Sequence, residues 1–563
     1  MAAKTKLELT WIGKENRPRL EPRILIEDER LSHHAAARRD ADLFGNILIR
    51  GDNLLGLKAL EATHASSVKC AFIDPPYNTG SAFKHYDDGV EHSLWLALIR
   101  ERIAIIRNLL SEDGSLWITL DDNEAFYFKA MCDEVFGRSN FVSCLIWQKK
   151  VSPANDAQFF SGDHDYIFVY AKNADVWKPN RLAMSEVQAG NYTNPDSDPR
   201  GPWNSTAYTC AKSADERPNL YYPIANPNTG EEIWPKRTRV WAFGPETHQR
   251  HAAEKLIYWG KDGQSSSPRF KKFFDASSRV VTRSVWPYTE VGHTQEARME
   301  MLKLFPDDPF PTPKPERLLN RIIEIASAPG DVVLDSFAGS GTTGAVAHKM
   351  GRQWIMVELG DHCETHIVPR LKMVIDGNDV GGITKSVDWR GGGGYRYFKL
   401  APSLLEKDQF GNWVISKSYN AEMLAEAMCK HFGFTYAPST EHYWMHGHSS
   451  ETDFIYVTTN SLTHEQLAAI SDEVGPERTL LICCKAFQGG NADAFVNLTI
   501  RKIPGAILDR CEWGKDDYSL KIEALPLIED EPEEEAAVQT PRRKPAVNPN
   551  QRGLFNGDGE VEA

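Results

Sequence analysis

Long apolar runs and paired cysteines are both missing from this sequence. No stretch of about 18 or more apolar residues occurs in its 563 residues, which argues against a membrane span. Residues 1–20 are charged and lack an apolar core, so a secretory signal is not predicted. The nine cysteines are scattered, and none stands in a Cys-x-x-Cys pair, so neither a disulfide framework nor a zinc site is indicated. We expect a cytoplasmic protein that needs no metal.

Basic residues are fewer than acidic ones. The sequence has 64 Lys and Arg residues and 78 Asp and Glu residues, which gives a formal net charge of −14. An acidic balance is an objection to a nucleic-acid partner. However, affinity for DNA depends on the local placement of basic side chains, because salt screens the distant ones. Residues 236–317 are enriched in Lys and Arg, whereas residues 529–535 form a nearly continuous acidic run. The net charge therefore does not exclude DNA.

Apolar segments of strand length alternate with helical stripes over much of the chain. Leu54, Leu57 and Leu60 recur at helical spacing and predict a helix between two predicted strands. An alternation of strands and helices at this spacing is typical of a doubly wound α/β sheet. We therefore predict an α/β fold of this kind. The predicted strands are residues 46–50, 68–73, 116–120, 164–171, 331–334 and 354–357.

The amino-acid composition changes several times along the chain. The region after residue 172 is rich in Pro, Gly, Asn, Trp and Tyr, and a glycine cluster at 391–394 marks a second boundary. Acidic, proline-rich composition at the end predicts disorder. The predicted divisions are an N-terminal arm (1–44), the first half of the α/β domain (45–172), an inserted region (173–300), the second half (301–390), a smaller C-terminal α/β domain (395–527) and a disordered acidic tail (528–563).

A glycine-rich segment, residues 335–344, follows one predicted strand and begins a helix. Gly339 and Gly341 allow the backbone to turn sharply and to approach a ligand. Glu358 ends the next predicted strand, 23 residues after Asp335, where an acid is placed to hold ribose hydroxyls. A turn that merely packs a helix on a sheet is the alternative. The strand, the helix and the acid together favour a site for a nucleoside cofactor.

The chemistry of this segment distinguishes between two cofactors. The spacing of Gly339, Gly341 and Gly344 also matches the fingerprint that binds a pyrophosphate. Asp335 stands at the end of the strand, where its charge would repel a pyrophosphate but suits the ammonium group of a methionine moiety. The segment therefore favours S-adenosylmethionine over NAD.

The second chemical constellation is Asp74-Pro75-Pro76-Tyr77, directly after a predicted strand. The two prolines fix the backbone and remove two N–H donors, so the local carbonyls are left as acceptors. An aspartate beside a fixed carbonyl suits a substrate amino group with two N–H donors, and Tyr77 offers a flat face for stacking on a base. The alternative is a rigid turn with a buried tyrosine. The acid before the prolines and the aromatic ring after them favour the catalytic interpretation.

Asp-Pro-Pro-Tyr at 74–77 and Phe-x-Gly-x-Gly at 337–341 together resemble the signatures of the DNA amino-methyltransferases. The catalytic motif comes first, as in the β class of that family, and the resemblance covers about residues 45–375. Within it, the chain is most similar to modification subunits of type III restriction systems and related phage-defence methyltransferases. The stretches that carry this further similarity are residues 78–80, 147–150 and 344–349, whereas residues 312–319 resemble the helix that precedes the cofactor strand in the β class. The resemblance implies a Rossmann-like methyltransferase sheet with an inserted target-recognition domain.

The resemblance also implies a mechanism for the catalytic turn. The target base is flipped out of the duplex, because the enzyme cannot reach it in the stack. Tyr77 stacks on the base, while Asp74 and the carbonyl of Pro75 accept the amino hydrogens and make the nitrogen nucleophilic. Pro76 completes the rigid turn. The expected reaction is site-specific methylation of adenine N6 in DNA.

Cofactor-binding residues follow from the same resemblance. Phe337 is expected to contact S-adenosylmethionine, Asp335 to lie at its methionine end and Glu358 at its ribose. Asp52 is expected near the adenine, although a helix N-cap is an equal alternative for it. Lys314, in the stretch that precedes the cofactor strand, is expected to line the same site.

The target and the partners stay open to alternatives. Adenine is preferred because members of the family that act on cytosine N4 usually carry Ser at the position of Asp74. The expected partners are double-stranded DNA, a second copy in a homodimer and a helicase or nuclease subunit of a restriction or defence complex. The alternatives are an N4-cytosine methyltransferase, a specificity subunit that recruits a helicase or nuclease, and a methyltransferase of RNA or protein. The inserted region is the expected DNA-contacting part, with aromatic and basic side chains that include Trp203, Tyr208, Tyr221, Tyr222, Trp234, Lys236, Arg237, Arg239, Trp241, Arg269, Lys271 and Lys272.

Overall fold

The computed structural model describes residues 8–39, 42–76, 88–153, 159–184, 189–488 and 494–519. Tyr77 and the predicted tail, 528–563, lie outside the described residues. Within the described ranges, no helix combines the length and the apolar character that crossing a membrane requires.

An eleven-stranded mixed sheet forms the centre of the protein. Its order is β1-β11-β3-β10-β9-β4-β5-β7-β6-β8, and β2 also pairs with β11. From β11 to β5 all neighbours are parallel, and β7 runs antiparallel between β5 and β6. The strands are β1 (Leu25–Glu27), β2 (His33–His34), β3 (Asn46–Arg50), β4 (Val68–Ile73), β5 (Leu110–Leu120), β6 (Phe141–Gln148), β7 (His164–Ala171), β8 (Val285–Trp286), β9 (Val332–Asp335), β10 (Gln353–Glu358) and β11 (Gly394–Leu400).

Helices cover both faces of this sheet. Cys70 and Phe72 point into a core shared with α7, α8 and α9, whereas Ala71 and Ile73 point into a core shared with α1, α2 and α3. Because successive side chains of a strand alternate between faces, β4 is apolar along its length. The helices are α1 (Asn53–His64), α2 (Asp88–Leu109), α3 (Ala125–Phe136), α4 (Pro245–Ala253), α5 (Tyr288–Val291), α6 (Thr294–Leu304), α7 (Glu316–Ala326), α8 (Thr342–Lys349), α9 (Val368–Ile375), α10 (Ala421–Phe432) and α11 (His464–Val474), with 3₁₀ turns at Arg138–Asn140 and Pro218–Leu220 and a π turn at Cys363–Ile367. The predicted doubly wound α/β fold is confirmed.

Two separate chain segments interleave in the sheet. Strands β3 to β7 come from residues 46–171, and β9 and β10, from residues 332–358, insert between β3 and β4. Leu334 pairs with Ala71, so β9 and β4 run side by side in the same direction. The loops that follow β4 and β9 therefore leave the sheet at the same edge, as ligand-binding loops do at a switch point of an open α/β sheet.

The inserted region has its own small core and sheets. Buried Tyr208, Trp241 and Trp259 lie at its centre. Its short strands are Trp203–Ala207, Ile257–Tyr258 and Arg269–Phe273 in one sheet, and the pairs Leu182–Ala183 with Arg279–Val280 and Ile224–Ala225 with Glu232–Ile233. The prediction extended the insertion to residue 300, whereas β8 already pairs with β6 of the main sheet.

A second α/β unit follows the main sheet. It contains α10, α11 and a five-stranded sheet. The structure differs from two of the predicted boundaries. The prediction places β11 at the start of this unit, but β11 pairs with β3 and belongs to the main sheet. The prediction places β1 and β2 in an N-terminal arm, but both strands pair with β11. The strands of the five-stranded sheet are Thr435–Tyr436, Gly447–His448, Asp453–Val457, Thr479–Cys484 and Leu498–Lys502, and two further pairs join Leu405–Lys407 with Trp413–Ile415 and Ser461–Leu462 with Ala486–Phe487.

Candidate active site

The turn after β4 carries the predicted catalytic residues. Asp74 accepts a hydrogen bond on Oδ1 from the hydroxyl of Thr119 in β5, at 2.5 Å. Pro75 is buried and Pro76 is exposed, and the carbonyl of Pro76 accepts a 3.0 Å hydrogen bond from the indole of Trp95. The turn is thus fixed from β5 on one side and from α2 on the other.

Lys314 contacts this turn directly. Its ammonium group forms an ion pair with Oδ2 of Asp74, and the ring of Trp147 lies 6.0 Å from the same nitrogen. Both partners of the ion pair are largely buried, with side-chain exposures of 14% for Lys314 and 22% for Asp74. Lys314 precedes α7 in the chain, so the ion pair ties the catalytic turn to the segment that leads into the cofactor half.

Asp335 organises the glycine-rich loop from inside the protein. Its Oδ1 accepts the backbone N–H of Phe337 at 2.9 Å, and its Oδ2 accepts the hydroxyl of Thr343 at 2.5 Å. Burial of the carboxyl group, with smaller contributions from the nearby Asp74 and Glu358, raises the pKa of Asp335 to about 7. Asp335 is therefore poised between its neutral and charged forms near neutral pH.

Glu358 fixes the outer part of the same loop. Its Oε2 accepts the N–H of Gly339 at 2.8 Å, and its Oε1 accepts the N–H of Gly360 at 3.0 Å and lies 3.0 Å from Nε2 of His362. Burial alone would raise the pKa of Glu358, but His362 and the two backbone donors hold it below its ordinary range. Gly339 and Gly341 have φ angles of 52° and 74°, in the left-handed region that favours glycine.

One cavity of about 490 Å³ joins the two loops. This volume is in the range of sites that enclose a small ligand. Pro75 is buried and Gly341 packs behind the loop, where an added Cβ would lie 3.0 Å from the side chain of Ile367. The predicted site residues that line the cavity are Asp52, Asp74, Pro76, Lys314, Asp335, Phe337, Gly339 and Glu358.

Asp52 has a structural role as well as a place in the cavity. Its Oδ1 accepts the backbone N–H groups of Leu54 at 2.9 Å and Leu55 at 3.1 Å. Asp52 is therefore the N-cap of α1, and that interpretation is confirmed. A role toward the cofactor stays a prediction.

Sequence reasoning missed Arg102, which lines the same cavity as Asp74. Its guanidinium is 2% exposed and donates to the side chain of Asn53, and Asn53 in turn donates to the carbonyl of Ser336 at 2.8 Å. The signal was available, because Arg102 follows Leu98 by one helical turn and so stands on the buried stripe of α2. A charged residue at such a position requires a buried partner.

A buried charge network supports the glycine-rich loop from behind. Glu316 at the start of α7 accepts hydrogen bonds from Lys349 at 2.8 Å and from Arg370 at 2.9 Å, and Lys349 also pairs with Asp379 at 2.8 Å. Arg370 donates to the hydroxyl of Thr342 at 2.8 Å and to the carbonyl preceding Gly341 at 3.1 Å. The network contains two acidic and two basic side chains, so no buried charge in it lacks a partner of opposite sign. Its hydrogen bonds connect α7, α8 and α9 to the glycine-rich loop.

Two adjacent central strands, β4 and β9, deliver an acidic proline turn and a glycine-rich loop to one cavity, which is the architecture of α/β proteins that bind ligands at a switch point of an open sheet. The chain belongs to the DNA methylase family, whose N6_N4_Mtase model matches residues 68–368. The matched region begins with β4 and ends at the start of α9, and it therefore contains both cavity-lining loops and the insertion. The family predicted from the two motifs is confirmed.

Curated relatives of the chain include modification subunits of restriction systems. The probable type III restriction-modification enzyme HindVI Mod subunit of Haemophilus influenzae is 29% identical over an alignment of 447 residues that covers 71% of this chain and 59% of that protein. The type III restriction-modification enzyme StyLTI Mod subunit of Salmonella typhimurium is 33% identical over an alignment of 328 residues that covers 53% of this chain and 49% of that protein. The chain thus spans about half to three fifths of the length of these two relatives. Among solved structures, PvuII DNA methyltransferase (cytosine-N4-specific) is 14% identical with a TM-score of 0.35, over 61% of this chain and 91% of that one.

Proposed function

We propose that this chain is a site-specific DNA methyltransferase of the modification-subunit kind, which transfers a methyl group from S-adenosylmethionine to adenine N6 in duplex DNA. The observation that carries the proposal is the single cavity of about 490 Å³ into which both the Asp74 turn and the glycine-rich loop open. Parallel pairing of β4 with β9 produces this juxtaposition, although the two loops are separated by more than half of the family-matched region.

The residues of the cofactor half fit S-adenosylmethionine. When bound, this cofactor supplies a methyl group activated by a positively charged sulfur. Glu358 accepts from Gly339 and Gly360 and contacts His362, but a carboxylate has about four acceptor sites and so keeps about one for a ribose hydroxyl. Burial raises the pKa of Asp335, and the ammonium group of the cofactor, when bound beside this carboxyl group, would lower the pKa again and favour the charged form. Half-buried Phe337 supplies an apolar wall.

Asp74 is the acceptor for the amino group of the target base. Thr119 orients its carboxylate through Oδ1, which leaves Oδ2 directed toward Lys314. A base that presents two N–H donors competes with Lys314 for this oxygen, so binding of the base requires the ammonium group to share or release Asp74. Acceptance of an amino hydrogen by the carboxylate raises the electron density on the nitrogen. Holding that nitrogen in line with the activated methyl group is then mainly a matter of position.

The inserted region is the part that we propose to contact DNA. Trp234 is 51% exposed, its ring lies 5.2 Å from that of Tyr221, and the guanidinium of Arg237 lies 5.6 Å from the Tyr221 ring. An exposed group of aromatic and cationic side chains can both hold phosphates and contact bases. As further parts of the proposal, the active form is a homodimer in the cytoplasm and works beside a helicase or nuclease subunit.

Transfer of tritium from labelled S-adenosylmethionine tests the proposal on the purified full chain. We expect label in duplex DNA and not in RNA or protein, and we expect hydrolysed DNA to contain N6-methyladenine. Label on cytosine N4 would correct the target base. DNA binding without any transfer would instead favour a specificity subunit that recruits a helicase or nuclease. Asp122→Ala is a matched control, because Asp122 lies two residues after the end of β5, accepts a hydrogen bond from the hydroxyl of Tyr166 and is not among the residues that line the cavity.

A further inference from the structure

We propose that residues 516–519, which we call the C-terminal strap, form one wall of the cofactor cavity and contribute to its affinity for S-adenosylmethionine. This inference rests on the proposed function. The strap lies far outside residues 68–368, the part of the chain that matches the family. Ser519 nevertheless lines the same cavity as Asp335 and Glu358.

The backbone of Tyr518 attaches the strap to the cavity. Its N–H donates to Oδ2 of Asp52 at 2.9 Å, and its carbonyl accepts a hydrogen bond from Arg102 at 3.3 Å. Asp52 and Arg102 are only 1% and 2% exposed. Hydrogen bonds to charged groups are stronger than neutral ones, and more so away from water. The strap therefore completes the hydrogen bonding of two buried charges.

These two charges connect the strap to the glycine-rich loop. Arg102 donates to the side chain of Asn53, to the carbonyl of Leu98 at 2.9 Å and, at 3.5 Å, to Asp52. Asn53 then donates to the carbonyl of Ser336 at 2.8 Å, within the loop itself. A continuous path of hydrogen bonds runs from Tyr518 through Arg102 and Asn53 to the backbone that holds the cofactor. Arg102 is thus a positioning residue.

The strap is also held on its outer side. Asp516 pairs with Arg23 at 2.7 Å, and the buried Arg23 guanidinium pairs with Glu21 at 2.8 Å as well. The ammonium group of Lys515 lies 4.1 Å from the ring of Tyr518. Because these contacts come from the N-terminal segment and from the end of the second α/β unit, the position of the strap depends on parts of the chain that catalysis itself does not use. The cavity is therefore coupled to that unit.

A substitution in the wall tests this inference in the full chain. Ser519→Trp adds an indole at the cavity surface, so we expect the Kd and the KM for S-adenosylmethionine to rise by about tenfold or more. The kcat at saturating cofactor and the Kd for DNA should stay within about twofold, because the Asp74 turn and the inserted region are untouched. Ser418→Trp is the matched control and should bind the cofactor as the unaltered chain does, because Ser418 is exposed and does not line the cavity. An unchanged Kd in Ser519→Trp would overturn the inference.

A pair of shortened chains gives a second, independent measurement. A chain that ends after residue 519 keeps the strap, and one that ends after residue 515 lacks it. We expect the first to bind S-adenosylmethionine like the full chain and the second to bind about tenfold more weakly, with DNA binding and the thermal midpoint as checks on folding. Equal affinity in the two folded chains would contradict a wall made by residues 516–519.

If the shorter chain does not fold, the result for Ser519→Trp decides. Failure of the unaltered chain to bind S-adenosylmethionine would instead remove the proposed function, and this inference with it.

Discussion

The two loops that share the cavity are built in different ways. The glycine-rich loop is closed around Asp335 and Glu358, whose carboxylates accept hydrogen bonds from the loop itself, and Arg370 supports it from behind. The turn after β4 is held by Thr119 and by proline geometry, but its carboxylate faces the cavity in an ion pair with Lys314. Under the proposed function, the glycine-rich loop on the cofactor side is therefore already assembled, whereas Asp74 on the substrate side must exchange a partner before it can act.

The proposed function accounts for this difference, because it gives the two loops different ligands. A cofactor of constant shape is bound best by a preorganised site, because little ordering entropy is then lost on binding. A base that leaves the DNA stack needs an acceptor that stays charged and available until it arrives. The pairing of Asp74 with Lys314 keeps that buried carboxylate compensated in the meantime.

The largest expected effect is on the substrate side, from Asp74→Ala. Because this change removes the acceptor of the amino hydrogens, we expect the kcat for methyl transfer to fall by about 10³-fold. The Kd for S-adenosylmethionine, measured by calorimetry, should change by less than about threefold, since the glycine-rich loop does not depend on Asp74. Methyl transfer at an unaltered rate would remove Asp74 from the mechanism.

The buried network behind the loop should matter most for stability. Lys349→Met leaves Glu316 and Asp379 without their shared cation, and breaking a buried ion pair in this way costs about 3 to 5 kcal/mol. The free energy of unfolding in urea measures this loss. Lys212→Met is the control, because Lys212 and Glu216 form an exposed ion pair whose loss should cost much less than the loss of a buried one. Equal losses in the two variants would show that the buried network contributes no more to the free energy of unfolding than an exposed ion pair does.

A change on the cofactor side should give the reverse of the Asp74 result. Glu358→Ala removes the acceptor for the N–H groups of Gly339 and Gly360, and we expect the Kd for S-adenosylmethionine to rise by about 10- to 100-fold. The kcat at saturating cofactor should fall much less than in Asp74→Ala. Glu358→Gln, which keeps one acceptor oxygen, should lie between. A Kd unchanged by Glu358→Ala would contradict a cofactor role for this carboxylate.

The smallest expected effect is a pH dependence of stability. The pKa of Asp335 is raised from its ordinary value of 3.8 to about 7 by burial, so between these values this carboxyl group binds more protons in the folded protein than in the unfolded chain. Its contribution to the free energy of unfolding should therefore fall as the pH rises from about 4 to about 7 and should level off above that. Comparison with Asp335→Asn isolates this contribution, because the other groups that titrate in this range, among them His348 and Glu300, are the same in both chains. Measured by urea unfolding across this range, the free energy of unfolding of the unaltered chain should fall relative to that of the variant as the pH rises. The same pH dependence in both chains would show that Asp335 does not titrate in this range.

The sequence predicted the parts of the molecule that depend on local pattern. Periodicity identified β4 and β9, and the chemistry of the residues after them identified the two loops. Sheet membership depends on pairing between distant segments, so β11 was placed in the wrong unit and β1 and β2 were placed in an arm. A strand pattern indicates that a segment is extended, but it does not indicate which neighbour it pairs with.

Side-chain partners were the least predictable feature of the site. Lys314 was expected at the cofactor, but its ammonium group pairs with Asp74, because the two meet only after residues 240 positions apart are folded together. Ser519 and Tyr518 lie outside any motif, and nothing in their local sequence indicates a cavity wall. Arg102 was also missed, but the sequence contains a signal for it, because a charged residue on the apolar stripe of α2 requires a buried partner.

Sequencing of modified bases in DNA from cells that express the chain tests the central claim most directly. The account predicts N6-methyladenine at one recurring sequence in cells with the unaltered chain and with Asp122→Ala. It predicts none in cells with Asp74→Ala, although that protein still binds S-adenosylmethionine. Modified adenine at the same sequence with Asp74→Ala, or unmodified DNA from cells whose unaltered chain binds both S-adenosylmethionine and DNA, would contradict it.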